Sequence, residues 1–177
     1  MKTVTGTVQI GDGDGEGNGE RDGSPDFESL EAFLSRLQSL GEDHDVLIQA
    51  FDARYVAGEA HLEAALEHAK RAMERGENVA DDLAVETLCY AAGRRQIDEA
   101  MTMGVKRGEQ SVVVLIDGEA AEAATESVRE LLRPETVAAD EDLLMEYFGI
   151  TPAEREITTG DLSGLVRERV ALLDVEK

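Results

Sequence analysis

The sequence predicts an α/β fold, a single domain on a small central mixed sheet of three or four strands with helices packed around it. Three observations predict it. Ser111-Val112-Val113-Val114-Leu115-Ile116-Asp117 is a continuous β-branched run bounded by polar residues, the pattern of a central strand covered on both faces. Val4, Gly6, Val8 and Ile10 alternate with Thr5, Thr7 and Gln9, the period of a half-buried strand. Between and after these, apolar residues recur at helical spacing in stretches punctuated by glycine or proline. At 177 residues the length matches one domain over 1–177, able to bury about two-thirds of its unfolded surface.

In chain order, the opening strand passes into Gly11 to Gly23, a run of Gly, Asp, Glu and Asn that neither packs nor caps; a flexible Gly/Asp-rich loop is expected over 11–25. Phe27, Leu30, Phe33, Leu34 and Leu37 then follow helical spacing, with Ser24 or Asp26 available as cap and Gly41 as the end. Val46-Leu47-Ile48 reads as a short buried strand. On the second helix Leu62, Ala65, Leu66, Ala69 and Met73 make one apolar stripe up to Gly76, with Glu59, Glu63, Glu67, Lys70 and Arg71 outward.

Asp81 and Asp82 cap a third helix, whose Leu83, Thr87, Leu88 and Ala91 face inward up to Gly93. Ile97 to Met103 is a short fourth helix ended by Gly104. After the central strand, Ala121, Ala124, Val128, Leu131 and Leu132 supply a covering helix before Pro134, and Val137 is a candidate edge-strand residue. Asp142 to Phe148 forms a short helix ended by Gly149. A last helix starts near Asp161 and runs through Leu162, Leu165, Val166, Val170 and Leu173.

The chain carries 39 acidic and 17 basic residues, a formal net charge of −22, with only four lysines: Lys2, Lys70, Lys106 and Lys177. Such self-repulsion costs compactness in dilute buffer and is tolerated in concentrated salt, where the Debye length shrinks to about 3 Å at 1 M. A halophilic cytoplasm is the expected setting. The N-terminus lacks a signal-peptide core, and no run of about 18 apolar residues would span a membrane.

Catalytic chemistry is hard to find. No dinucleotide fingerprint, phosphate-binding loop or nucleophile elbow occurs. Cys89 lies among apolar helical residues, so a buried small apolar role is expected and no disulfide can form. His61 and His68 stand seven apart, two turns rather than the single turn that would place both on one metal, so no metal site is expected. Asp12, Asp14 and Glu16 followed by Gly17 mimic the start of a calcium loop, but the closing glutamate position falls on Gly23. A calcium-responsive or enzymatic small acidic α/β protein is therefore the alternative to a binding module.

The basic pair Arg94-Arg95 has two readings. Cations beside a helix C-terminus cap its carbonyls and complement its partial negative charge, and Gly93 suits a left-handed cap. Planar guanidinium groups also suit a nucleic-acid contact.

The segment from Ile48 to Gly118 resembles the kinase-binding, tRNA-recruiting subunit of the KEOPS complex, the PRPK-binding protein family. The resemblance runs from Val46-Leu47-Ile48-Gln49-Ala50 through Asp52-Ala53-Arg54-Tyr55-Val56-Ala57-Gly58 and His61-Leu62 to Val85-Glu86-Thr87-Leu88. It continues through Ala91-Ala92-Gly93-Arg94-Arg95-Gln96-Ile97 with Glu99-Ala100, closes on Val112 to Ile116, and resumes at Tyr147-Phe148-Gly149-Ile150 and the last helix. The Gly11 to Gly23 loop and the acidity of the helix surfaces depart from the family's usual pattern.

The resemblance implies a non-catalytic subunit, without cofactor, of the machine that makes N6-threonylcarbamoyladenosine in tRNA. Its partners would be the small atypical kinase/ATPase subunit, the 3′ CCA end of tRNA and, through the kinase, the rest of the complex. The RNA-binding residues would be Arg94, Arg95, Gln96 and Ile97, with Lys70 and Arg71 as secondary phosphate contacts. Apolar positions on the last helix occupy more of its circumference than one stripe requires. The resemblance assigns kinase contact to Leu165, Val166, Arg169, Val170 and Leu173.

Overall fold

The computed structural model describes residues 1–12, 26–157 and 161–175. In chain order its elements are β1 (Lys2–Ile10), α1 (Leu30–His44), β2 (Leu47–Asp52), a 3-10 turn (Ala53–Tyr55), α2 (Glu59–Arg75), α3 (Leu83–Ala92) and α4 (Ile97–Ala100), which runs into a second 3-10 turn (Met101–Met103). There follow β3 (Gly108–Asp117), α5 (Ala121–Arg129), α6 (Glu141–Phe148), α7 (Pro152–Ile157) and α8 (Leu162–Leu172). They form two compact units: Met1–Asp52 with Val105–Val137, and Ala53–Gly104 with Ala138–Lys177.

The first unit holds the sheet, in the order β1-β3-β2, and the α/β class expected from sequence is what the chain adopts. Both pairings are antiparallel, so the sheet is not mixed. The reason is topological: β1 and β2 run the same way on either side of the α1 connection, but β3 lies between them and opposes both, so the two parallel strands never hydrogen-bond. Val112, Val114 and Ile116 on one face of β3 join Val4, Val8 and Ile10 of β1 in a core closed by Phe33, Leu37 and Leu40 of α1 and by Ala124 and Val128 of α5. Val113 and Leu115, on the opposite face, are buried as well. The uninterrupted apolar run of the central strand follows from that two-sided burial.

Local chemistry departs from the sequence reading at four places. Ser29, not Ser24 or Asp26, caps α1, its hydroxyl accepting from the Ala32 amide at 3.1 Å. Gly41 does not end α1: Asp45 takes the left-handed position (φ 52°), and the Val46 amide donates back to the Gly41 carbonyl at 2.9 Å. Gly41 serves close approach instead, since a Cβ there would lie 3.0 Å from the Val46 carbonyl oxygen. Val137 joins no strand; the chain pairs with β1 earlier, at Arg133 opposite Thr7. Between α6 and the last helix, where the sequence reading placed no element, stands α7, opened by Thr151 and Glu154 in a reciprocal capping box with Pro152 in the first turn.

Residues 13–25 lie outside the described residues, as do Asp14 and Glu16 of the calcium-like run. The ends of the segment are joined nonetheless: the Gly11 amide donates to the Phe27 carbonyl at 2.8 Å, and the Asp26 carboxylate accepts from the Gln9 amide and pairs with Arg133, both at 2.9 Å. Replacing 13–25 by a short glycine turn is expected to change stability by less than about 1 kcal/mol, because closure entropy varies slowly with length. Urea denaturation of the shortened chain checks this. Among the described residues no cluster of His, Cys, Asp and Glu could hold a metal ion, and no helix is long and apolar enough to cross a membrane.

Candidate functional site

The second unit carries every residue assigned to a partner. Its organising group is His61, on the first turn of α2 and fully buried. The Ala57 amide donates to its Nδ1 at 3.1 Å, which fixes the neutral tautomer with the proton on Nε2, and Nε2 donates to the Ala91 carbonyl at 2.8 Å. Burial pushes the imidazole down to about 4, only partly opposed by the Ala91 bond. Phe148 meets the ring edge-on at 5.7 Å. His61 therefore ties the start of α2 to the last turn of α3, where the basic pair begins.

At that end Gly93 adopts φ 60°, and the Gly93 and Arg94 amides return to the Tyr90 and Cys89 carbonyls, both at 3.0 Å. This turn reverses the chain from α3 into α4. The Arg94 guanidinium folds back: Nη2 donates to the Tyr147 carbonyl at 2.8 Å, and its carbon sits 4.9 Å from the centre of the Tyr147 ring. Arg169 of α8 donates from Nε to the next carbonyl, Phe148, at 3.2 Å. Two cations thus cap the C-terminal carbonyls of α6, where the helix dipole favours them.

Arg95 behaves differently. Among the described residues it makes no hydrogen bond or ion pair; its charge acts on the buried Tyr90 hydroxyl, which burial and Asp174 hold well above its ordinary range. Gln96 and Ile97 are exposed. The run Arg94 to Ile97 is thus one anchored arginine, a half-buried Arg95 without such an anchor, and two exposed side chains, Gln96 and Ile97. Lys70 and Arg71 lie on the exposed side of α2. Arg71 stands one turn beyond His68, whose ring stacks on Tyr90 at 5.6 Å, and so shares the side of the unit that Tyr90 and Arg95 occupy.

The residues assigned to the kinase sit mostly inward. Leu165, Val166, Val170 and Leu173 are no more than 5% exposed. Arg169 spends its guanidinium on Phe148 and on Glu154, 2.6 Å away, where the Thr151 amide first and Arg169 second hold the Glu154 carboxyl down to about 2. The four apolar side chains therefore pack within their own unit and fill the surplus apolar circumference of α8, while Arg169 is partly exposed. What the end of the helix does display is Leu172, 42% exposed, and Val175, 77% exposed.

A family model described as "Kinase binding protein CGI-121" matches residues 29–174. The chain belongs to the CGI-121 family. The match opens on Ser29, the cap of α1, and closes on Asp174 just beyond α8. Curated proteins return no significant match. CGI-121 proteins are kinase-binding by the family's description, which agrees with the binding-module reading.

Sequence reasoning missed three groups of this CGI-121 site. The metal-spacing argument and the family resemblance both include His61, but neither assigns it the buried core position that His61 occupies between Ala57 and Ala91. Tyr147 was seen as motif rather than as the surface on which Arg94 lies. The cluster of His68, Tyr90 and Asp174 spans 106 residues of sequence and left no local signal.

Proposed function

We propose that this chain is the non-catalytic subunit of a KEOPS complex that binds the small atypical kinase/ATPase and captures the single-stranded 3′ CCA end of tRNA destined for N6-threonylcarbamoyladenosine. It supplies position, and another subunit supplies the transfer chemistry. The observation that carries the reading is the turn after α3, which anchors Arg94, leaves the half-buried Arg95 without such an anchor and exposes Gln96 and Ile97. In so acidic a chain, phosphate contacts are a poor source of affinity, and they weaken steeply with salt. Stacking and hydrogen bonds to unpaired bases survive salt, at about 1–3 kcal/mol per stacked base. A planar guanidinium, an amide and an apolar side chain on one turn suit that task.

The test compares intact tRNA with tRNA lacking its CCA end in molar potassium chloride. Loss of the tail is expected to weaken binding at least tenfold. Arg95→Ala is expected to weaken binding of intact tRNA by about 5- to 150-fold, the equivalent of one stacked base. Equal binding of the two RNAs would overturn the reading, and an unaffected Arg95→Ala variant would return the pair to helix capping.

For the kinase, the exposed end of α8 supports contact through Leu172 and Val175. Removing everything after Asp161 would strip Leu162, Leu165, Val166 and Val170 from the core of the unit, so a point change on the displayed surface is the cleaner test. Leu172→Asp is expected to weaken kinase binding tenfold or more while leaving the melting transition in place. Unchanged affinity would move the contact elsewhere.

A further inference from the structure

We infer that Asp174 is a positioning residue for kinase binding: held by His68 and Tyr90, it fixes the turn after α8 that displays Leu172 and Val175. This rests on the α8 end being the kinase contact. The Tyr90 hydroxyl donates to one carboxylate oxygen at 2.6 Å, and the other lies 2.7 Å from His68 Nδ1. His68 and Tyr90 are themselves stacked, 5.6 Å between centres and 26° between planes, so their two polar atoms converge on the carboxylate from α2 and α3.

The placement of that carboxylate calls for a reason. Asp174 follows the C-terminal end of α8, where the unpaired carbonyls repel a negative charge, in a chain already at −22. Its amide only closes a turn onto Ala171, as the Val175 amide does onto Leu172. Those two bonds are local and fray readily at a helix end. The side chain supplies the long-range tie, to residues 106 and 84 positions earlier. On one side of the tied residue stands Leu173, 4% exposed and packed inward; beyond it Leu172 and Val175 are left outward. With the carboxylate held, both apolar groups keep one orientation before a partner arrives, and a partner that meets a pre-ordered surface loses less on binding.

The experiment measures binding of the purified small KEOPS kinase to the full chain and to Asp174→Ala, Asp174→Asn and Leu172→Asp, with amide hydrogen exchange of residues 172–175 followed in each. Asp174→Ala is expected to bind about tenfold more weakly and to exchange faster at 172–175. Asp174→Asn keeps the shape of the side chain, an oxygen for Tyr90 and an N–H for a neutral His68, and is expected to bind within about twofold of wild type. Tyr90→Phe, which removes one bond and keeps the stack, serves if Asp174→Ala fails to fold; it is expected to lie between these two. Unchanged binding by Asp174→Ala (or, in its place, Tyr90→Phe) while Leu172→Asp is impaired would overturn this inference alone. Asp174→Asn as weak as Asp174→Ala would overturn it too, pointing to bare charge rather than positioning. An unimpaired Leu172→Asp would overturn the kinase-contact reading on which it rests.

Discussion

His61→Ala is expected to cost about 3–5 kcal/mol, the sum of a buried ring's volume and two backbone groups left without their partner. The ring is fully buried, and its removal leaves the Ala57 amide and the Ala91 carbonyl without the partner they now have. The same residue sets a pH dependence. Its folded value, about 4, lies below the ordinary 6.5, so between those limits the unfolded chain binds the extra proton. Stability is therefore intact above about 6.5 and falls as the pH drops toward 4, by on the order of 3 kcal/mol. Carboxylates titrate in the lower part of this window too, so the measurement is a difference: urea denaturation of wild type and His61→Gln at matched pH in concentrated salt. The wild type should lose its advantage over His61→Gln as the pH falls. Parallel curves would mean that His61 accepts a proton in the folded state without loss.

Gly6→Val is expected to destabilise by about 2–4 kcal/mol, the cost of forcing bulk into packed space against backbone. Gly6 lies in β1 opposite Val112, where a Cβ would stand 2.6 Å from the Arg133 carbonyl oxygen and 2.9 Å from the Leu132 Cβ. Neither neighbour can swing away, because the Arg133 backbone exchanges hydrogen bonds with Thr7, both at 2.9 Å. Valine is otherwise a better strand residue than glycine, so propensity alone predicts the opposite sign. The shift in denaturation midpoint decides between them, and a neutral or stabilised variant would show that the Arg133 segment yields.

These two residues mark where local reading ends. The alternation through Val4, Gly6, Val8 and Ile10 identified β1, and the Val112 to Ile116 run identified the central strand, because hydrophobic period is a property of each segment alone. Gly76, Gly93 and Gly149 marked helix ends correctly, since each takes the left-handed cap that glycine adopts without a steric cost. Gly41 and Gly6 look no different in sequence. There the demand comes from a neighbouring backbone, which no local pattern records.

The same division runs through the candidate site. The string from Gly93 to Ala100 and the last helix were legible, and with them the family. Which arginine is anchored was not: Arg94 and Arg95 are adjacent and chemically identical, and only the carbonyl end of α6, some fifty residues on, holds the first and not the second. On α8 the apolar positions were evident, yet whether they faced a partner depended on how many the unit itself would bury, and it buries all but Leu172. Sequence by itself determined most of the elements, the glycine caps at Gly76, Gly93 and Gly149, and the family, because these follow from spacing and backbone preference within a few turns. Tertiary structure decided strand order, which groups are spent internally and which are shown, because burial and long-range hydrogen bonds are assigned only when distant segments meet.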